Sequence, residues 1–308
     1  MAMLRNLWRN KAFLFMALPG TIWLILFFYI PVFGNIVAFK NFHYSSGGFF
    51  QSLRESPWVG LDNFKFLFSS NNAYLITRNT VLYNVAFIVL GLIFAVFLAI
   101  VLSELRSKRM IKIYQTSMLF PYFLSWVIIS YFVFAFLSPD KGLMNSILTL
   151  FGGEEINWYN EQKYWPFILI ILGIWKSVGY NSVIYFASIM GINSDYYEAA
   201  MVDGASKWQQ IKNITIPQLI PLISILSILS VGNIFRADFG LFYQIPRNSG
   251  ALYEVTSVLD TYIYNGLTST GDIGMTAAAG LYQSVVGCIL VVLANFIVRK
   301  FDEESALF

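Results

Sequence analysis

Apolar and polar residues are segregated into long blocks along this chain. Apolar runs of about 20 residues, the length that crosses about 30 Å of hydrocarbon at 1.5 Å per residue, fall near residues 13–33, 80–102, 116–137, 165–188, 217–235 and 276–298. Each predicts a membrane-crossing helix, and together they predict an all-α integral membrane protein with six transmembrane helices. Three sizeable polar segments, 43–78, 138–164 and 236–275, separate spans on one side and are too short for separate domains. Within the third, residues 255–267 mix Asp260, Tyr262 and Tyr264 with apolar positions, a pattern suited to a short interfacial or re-entrant helix lining a water-filled cavity. There is no internal repeat and no low-complexity tract, so residues 1–308 read as a single transmembrane domain.

Basic residues orient this domain. Arg5, Arg9, Lys11, Arg106, Lys108, Arg109, Lys112, Lys207, Lys212, Arg299 and Lys300 lie at the span ends that share one side, whereas Lys40, Arg54, Lys141 and Arg247 are among the sparser set opposite. The denser side is cytoplasmic by the positive-inside rule, so both termini are inside. The basic start followed by an apolar run imitates a secretory signal, but the run is too long and no small-residue cleavage site follows, which predicts an uncleaved first span. The run 106–112 is read as a topology determinant.

Composition agrees and excludes several classes. Hydrophobic residues make up 57% and charged residues 12%, against about a quarter charged in a soluble domain, so this chain lives in lipid as a multi-pass cell-membrane protein. The net charge of +3 leaves no footprint for nucleic acid. The lone Cys288 and lone His43 exclude a disulfide and give no metal-ligand set, so no metal site is expected. No phosphate loop, Gly-x-Ser-x-Gly, His-Glu-x-x-His or paired intramembrane carboxylates occur, so no catalytic residue is predicted and the chain is not an enzyme. A proton-coupled secondary transporter or channel is the rival reading, but its spans would want titratable acids or histidines, and only Lys176 is there.

The longest cytoplasmic connection, 190–217, carries helix punctuation. Ser194 is placed to cap a first short helix with Asp195 at its positive end, and Gly204 supplies a left-handed residue to close it. Ser206 with Gln209 opens a second helix as a capping box, and Thr215 with Gln218 repeats the pattern where the fifth span begins. Helices this short do not persist alone in water, and Ala199, Ala200 and Gly204 leave a surface flat enough for close approach, so a partner protein is implied.

Glu198-Ala199-Ala200, then Gly204, Ile214 and Pro217, resembles the EAA loop of permeases in binding-protein-dependent ABC importers, with Ile216 where leucine is usual. Gly60-Leu-Asp-Asn-Phe64, Ile174-Trp-Lys-Ser-Val-Gly-Tyr180 and Asp203-Gly-Ala205 are similar to the sugar-type branch that imports oligosaccharides and polysaccharide fragments. This resemblance implies a type I importer permease fold and an alternating-access pore shared with a second permease subunit, commonly a homologue. It also implies two cytoplasmic ATPase subunits, which would hold ATP and Mg, and an external or periplasmic solute-binding protein that delivers a carbohydrate. No cofactor is expected on this chain. By the same resemblance Tyr196, Glu198, Ala199, Ala200, Asp203 and Gly204 would form the ATPase-coupling contact. A permease of the same superfamily for another small solute is the alternative.

Lys176 falls near the middle of the fourth span, where a charge costs about 2.5 to 3.5 kcal/mol, so it should face water or protein, with sugar hydroxyls, carbonyls or water as partners. Trp175, Tyr180, Asn181 and Tyr185 on the same span offer rings that stack on sugar faces and an amide that satisfies hydroxyls. Asn233, Arg236, Asp238 and Tyr243 near the outer end of the fifth span, and Tyr282 with Gln283 in the sixth, are further substrate-pathway candidates, set against interface belts and packing as the ordinary roles of such residues.

Overall fold

The computed structural model describes residues 11–65, 71–140, 142–269 and 271–301. Arg5, Arg9 and Lys141, which entered the charge count, lie outside the described residues. Among those described the chain is helical, with no strand beyond an isolated bridge between Lys40 and Trp58. Backbone contacts divide it into two compact units, Met1–Ser69 with Asn265–Tyr282, and Ser70–Tyr264 with Gln283–Phe308.

In the first unit, helix α1 runs over Lys11–Phe39, longer than the predicted first span. It widens to a π turn at Ile25–Tyr29, just ahead of Pro31, whose missing N–H removes one helical bond. None of its first residues through Phe33 is buried, so this largely apolar helix offers its surface to lipid or other chains. A short helix, α2 (Phe49–Glu55), follows. The Gly60–Phe64 motif has a structural role here: the Asn63 amide donates to the Ala38 and Lys40 carbonyls, each at 2.9 Å, and Phe64 packs on Phe39. Lys40 is itself buried and donates to the carbonyls of Leu53 and Ser56.

The second unit is built on α3 (Asn71–Ser103), α4 (Lys108–Phe123), α5 (Trp126–Leu137), α6 (Leu143–Leu150), α7 (Trp165–Met190), α8 (Ser194–Val202) and α9 (Lys207–Gly232). Short helices α10 (Phe239–Gln244), α11 (Tyr253–Thr256) and α12 (Leu259–Ser269) lead to α13 (Ile273–Phe301), which with α12 passes through both units. Among the described residues five helices are long and apolar enough to cross a membrane, or six if α4 and α5 make one span.

The third predicted span, 116–137, is therefore corrected. It is no straight helix but a pair bent by 93°. At about 1.5 Å per residue neither α4 nor α5 covers 30 Å alone. The break has a local cause: Ser125 turns extended and its hydroxyl caps the Val127 N–H, while Pro121 has already weakened the last turn of α4. The fifth span is corrected in the other direction, beginning at Lys207 rather than 217.

Two apolar clusters hold this unit. Tyr83, Ile129, Val133, Trp165, Leu169, Leu241 and Phe242 join α3, α5, α7 and α10, and Ala95, Ala99, Tyr185, Ile189 and Leu219 join α3, α7 and α9. The segment 255–267 is helical as expected, interrupted at Ser257. The polar backbone freed by that interruption is satisfied from α3: Asn79 donates to the Glu254 and Ser257 carbonyls, Tyr83 to Val255, and the Leu259 N–H to Thr80.

Candidate functional site

The loop after α7 forms two helices at a glycine corner. Asn193, not Ser194, is the N-cap of α8, accepting from the Asp195 N–H at 3.1 Å; Ser194 is already the first helical residue. At the other end Gly204 has φ +78°, the Ala205 N–H reaches the Ala200 carbonyl at 2.8 Å, and the Gly204 N–H reaches Met201 at 3.1 Å. That pair of bonds is the Schellman closure, and it requires the left-handed residue that glycine supplies. The Ser206–Gln209 capping box forms.

Thr215 does not cap the fifth span. It lies inside α9, buried and helical, within a π turn at Ile211–Thr215, and its hydroxyl pairs with the Tyr197 hydroxyl at 2.9 Å. The second short helix and the fifth span are thus one body, with α8 pinned to it. Lys207 at its base pairs with Glu104 at 3.1 Å, which sets the 103–108 turn beside the start of α9, the grouping the charge pattern required. No residue of α8 is buried, and Val202 at 88% and Tyr196 at 57% exposure stand free in this chain beside Glu198, Ala199 and Asp203, which are also exposed.

Farther along α9, a cavity of about 410 Å³ lies between α3, α7 and α9. Its polar lining is Asn84, Ser177, Asn181, Tyr185, Ser227, Ser230, Asn233 and Arg236. A second cavity of about 220 Å³ shares Phe87 and Ser177 with the first, and adds Tyr122, Trp126, Lys176 and Asp238. Among the predicted pathway residues, Asn181, Tyr185, Asn233 and Arg236 line the first and Lys176 and Asp238 the second. Trp175 is exposed on the outside of α7, Tyr180 stacks on Tyr122 at 4.7 Å, and Tyr243 packs on Phe239 and Tyr264. Gln283 is buried, donating to the Phe235 carbonyl and to Asp260, whose carboxyl is pushed up by burial; Tyr282 belongs to the first unit. None of these five lines either cavity.

Lys176 finds carbonyls, one of the three kinds of partner expected for it. Its Nζ donates to Tyr122 and Leu124 at 2.7 Å and to Pro121 at 3.4 Å, so the charge closes the open C-terminal end of α4 at the 93° break. Trp126 Nε1 donates to Asp238 at 2.7 Å across the same break. Three residues on, the Gly179 of the same motif sits where a Cβ would overlap the Met118 carbonyl, so glycine lets α4 and α7 touch.

Asn84, Ser177, Ser227 and Ser230 were missed from sequence. Ser227, Ser230 and Asn233 recur at intervals of three, which places them on one helix face and is the signal that would have found them.

A lipid-length helical bundle that encloses a polar cavity between its spans defines a membrane transport protein. Residues 87–303 match the family of binding-protein-dependent transport system inner membrane components, and the chain belongs to that family. It is 33% identical, over 98% of its length and 92% of the relative's, to the polygalacturonan/rhamnogalacturonan transport system permease protein YteP of Bacillus subtilis (strain 168). Protein LplB of the same organism is 30% identical over 96% of this chain and 91% of LplB. A crystal structure of a bacterial ABC transporter involved in the import of the acidic polysaccharide alginate contains a chain that superposes with a TM-score of 0.86 at 32% identity, covering 98% of this chain and 100% of that one. The alginate transporter in complex with an alginate pentasaccharide-bound periplasmic protein gives the same score at 31% identity. The chain is a permease component of the inner membrane rather than an enzyme.

Proposed function

We propose that this permease forms, with a second and homologous permease subunit, the path by which an ATP-driven importer carries an oligosaccharide handed over by an external solute-binding protein. The cavity between α3, α7 and α9 carries this reading: amides, hydroxyls and a tyrosine on three different helices suit a ligand with many hydroxyl groups. The polysaccharide systems among its relatives support the same class. ATP and Mg belong to two ATPase partners, on which α8 docks through Tyr196, Glu198, Ala199, Ala200 and Asp203, with Gly204 holding the angle to α9.

The test is the intact importer purified with its binding protein, its ATPase stimulation measured against a panel of oligosaccharides. Stimulation by one glycan class is the expected result. A glycerol-3-phosphate transport permease of Escherichia coli, UgpA, is 28% identical over 81% of this chain, so that ester belongs in the panel. Stimulation by it alone would replace the carbohydrate reading with a small-solute one.

A further inference from the structure

Deepening the carbohydrate reading and resting on it, we infer that Arg236 is a specificity-determining residue that reads a carboxylate, so that the oligosaccharide carried contains uronic acid. Arg236 is the charged residue in the lining of the 410 Å³ cavity between α3, α7 and α9, whose lining holds no carboxylate to answer it. It makes no ion pair among the described residues, and its side chain donates to the Ser284 hydroxyl at 3.4 Å, a long bond that leaves most of its five donors unspent.

The nearby acids accept their hydrogen bonds from other groups, and the Arg236 charge reaches Asp260 only through space, favouring its ionised form. Asp238 accepts from Trp126 and from the Leu241 N–H, and Asp260 accepts from the Ala237 N–H at 2.7 Å and from Gln283. The backbone that carries Arg236 is held in place. Asn84 on α3 donates to the Ile234 carbonyl, and the Arg236 N–H bonds to the Asn233 carbonyl at 2.8 Å, so the turn that ends α9 is tied to α3 at the cavity wall.

A planar guanidinium matches a carboxylate in bidentate fashion. One positive charge beside a hydroxyl-binding wall fits one sugar acid group. A phosphate dianion would call for more charge and little of that wall. Lys176, the other cation nearby, is spent on three carbonyls and is not available to the solute.

The experiment uses the whole importer with its binding protein in proteoliposomes. ATP-driven uptake of trigalacturonate and of its carboxyl-reduced counterpart, and of glycerol 3-phosphate, is measured for the native chain, Arg236→Gln and Arg236→Lys. Taking the variant-to-native ratio for each solute cancels the binding protein's own preference. Arg236→Gln is expected to lower uptake of the acidic trisaccharide by about ten- to a hundred-fold, the effect of a hydrogen-bonded charge, with the reduced sugar unchanged and Arg236→Lys intermediate. An equal fall for both sugars makes Arg236 structural and overturns the inference. So does an unchanged ratio for the acidic sugar, or a fall confined to glycerol 3-phosphate. Uptake of the reduced sugar alone by the native importer overturns the inference while sparing the carbohydrate reading, and uptake of glycerol 3-phosphate alone overturns both.

Discussion

Replacing Lys176 with methionine separates the two roles open to an intramembrane lysine. Methionine keeps the apolar stem and gives no donor, so the carbonyls of Tyr122 and Leu124 each lose a 2.7 Å bond and Pro121 loses a weaker one at 3.4 Å. Hydrogen bonds to a charged group contribute about 1.5 to 3 kcal/mol each, so the two short ones amount to roughly 3 to 6 kcal/mol. Holding a lysine charge at the centre of a span costs about 2.5 to 3.5 kcal/mol. The difference runs from about −0.5 to 3.5 kcal/mol with a midpoint near 1.5, which predicts a net destabilisation at the junction of α4 and α5. The attraction of Nζ for the Tyr122 and Trp126 rings, 5.6 and 5.3 Å away, adds to the loss. Thermal melting of the purified importer, read beside membrane abundance, should show a lower midpoint for Lys176→Met. A native melting midpoint together with reduced uptake would refute this reasoning and return Lys176 to the solute.

Glu198→Lys and Gly204→Pro should each leave the chain in the membrane but break the proportion between ATP hydrolysis and solute uptake; proportional native rates in both would remove α8 from the coupling role. Tyr197→Phe deletes the bond to Thr215, worth about 0.5 to 1.5 kcal/mol, and should lower solute moved per ATP while basal hydrolysis holds. Glu104→Gln, by contrast, breaks a solvent-exposed pair worth about 0 to 1 kcal/mol, so melting should stay near native; a large loss would mean that the pair is shielded within the assembled importer.

Much of the fold was legible because hydrocarbon imposes a coarse rule that sequence expresses plainly: the predicted stretches 13–33, 80–102, 165–188 and 276–298 are helical throughout, and the Ser206–Gln209 box and Gly204 corner formed as read. What sequence concealed was continuity. Hydropathy saw residues 116–137 as one run because Leu124 and Ser125 interrupt direction without interrupting apolarity. The opposite error arose at Thr215, a good cap by composition, since a threonine can equally sit inside a helix and bond outward to Tyr197. For the cavity, aromatic residues drew attention away from small ones. Trp175 and Tyr180 belong to the exterior and to a stack on α4, whereas Ser227 and Ser230 line the space. A serine leaves room for a ligand, and its hydroxyl can be satisfied by its own helix when the ligand is absent, as Ser230 is by Leu226 at 2.7 Å.

The continuity of α9 is also what makes a coupling role for α8 mechanically sensible. From Lys207 to Gly232 the chain is one helix of 26 residues, about 39 Å long at 1.5 Å per residue. Its first turns are fastened to α8 through Tyr197 and Thr215, and its last turns carry Ser227, Ser230 and the Asn233–Arg236 turn into the cavity wall. A displacement of α8 imposed by a partner would therefore arrive at the cavity as motion of a single lever, with little loss in loops. The weak point of that lever is the π turn at Ile211–Thr215, where the bonding register shifts by one residue. Deleting one residue from the regular α-helix between that turn and the cavity, such as the exposed Ile220, would leave the π turn in place. It would rotate α8 by about 100° relative to the cavity face, so uptake should fail although both ends of the helix remain intact. If uptake survives the deletion, α8 and the cavity are not linked through α9.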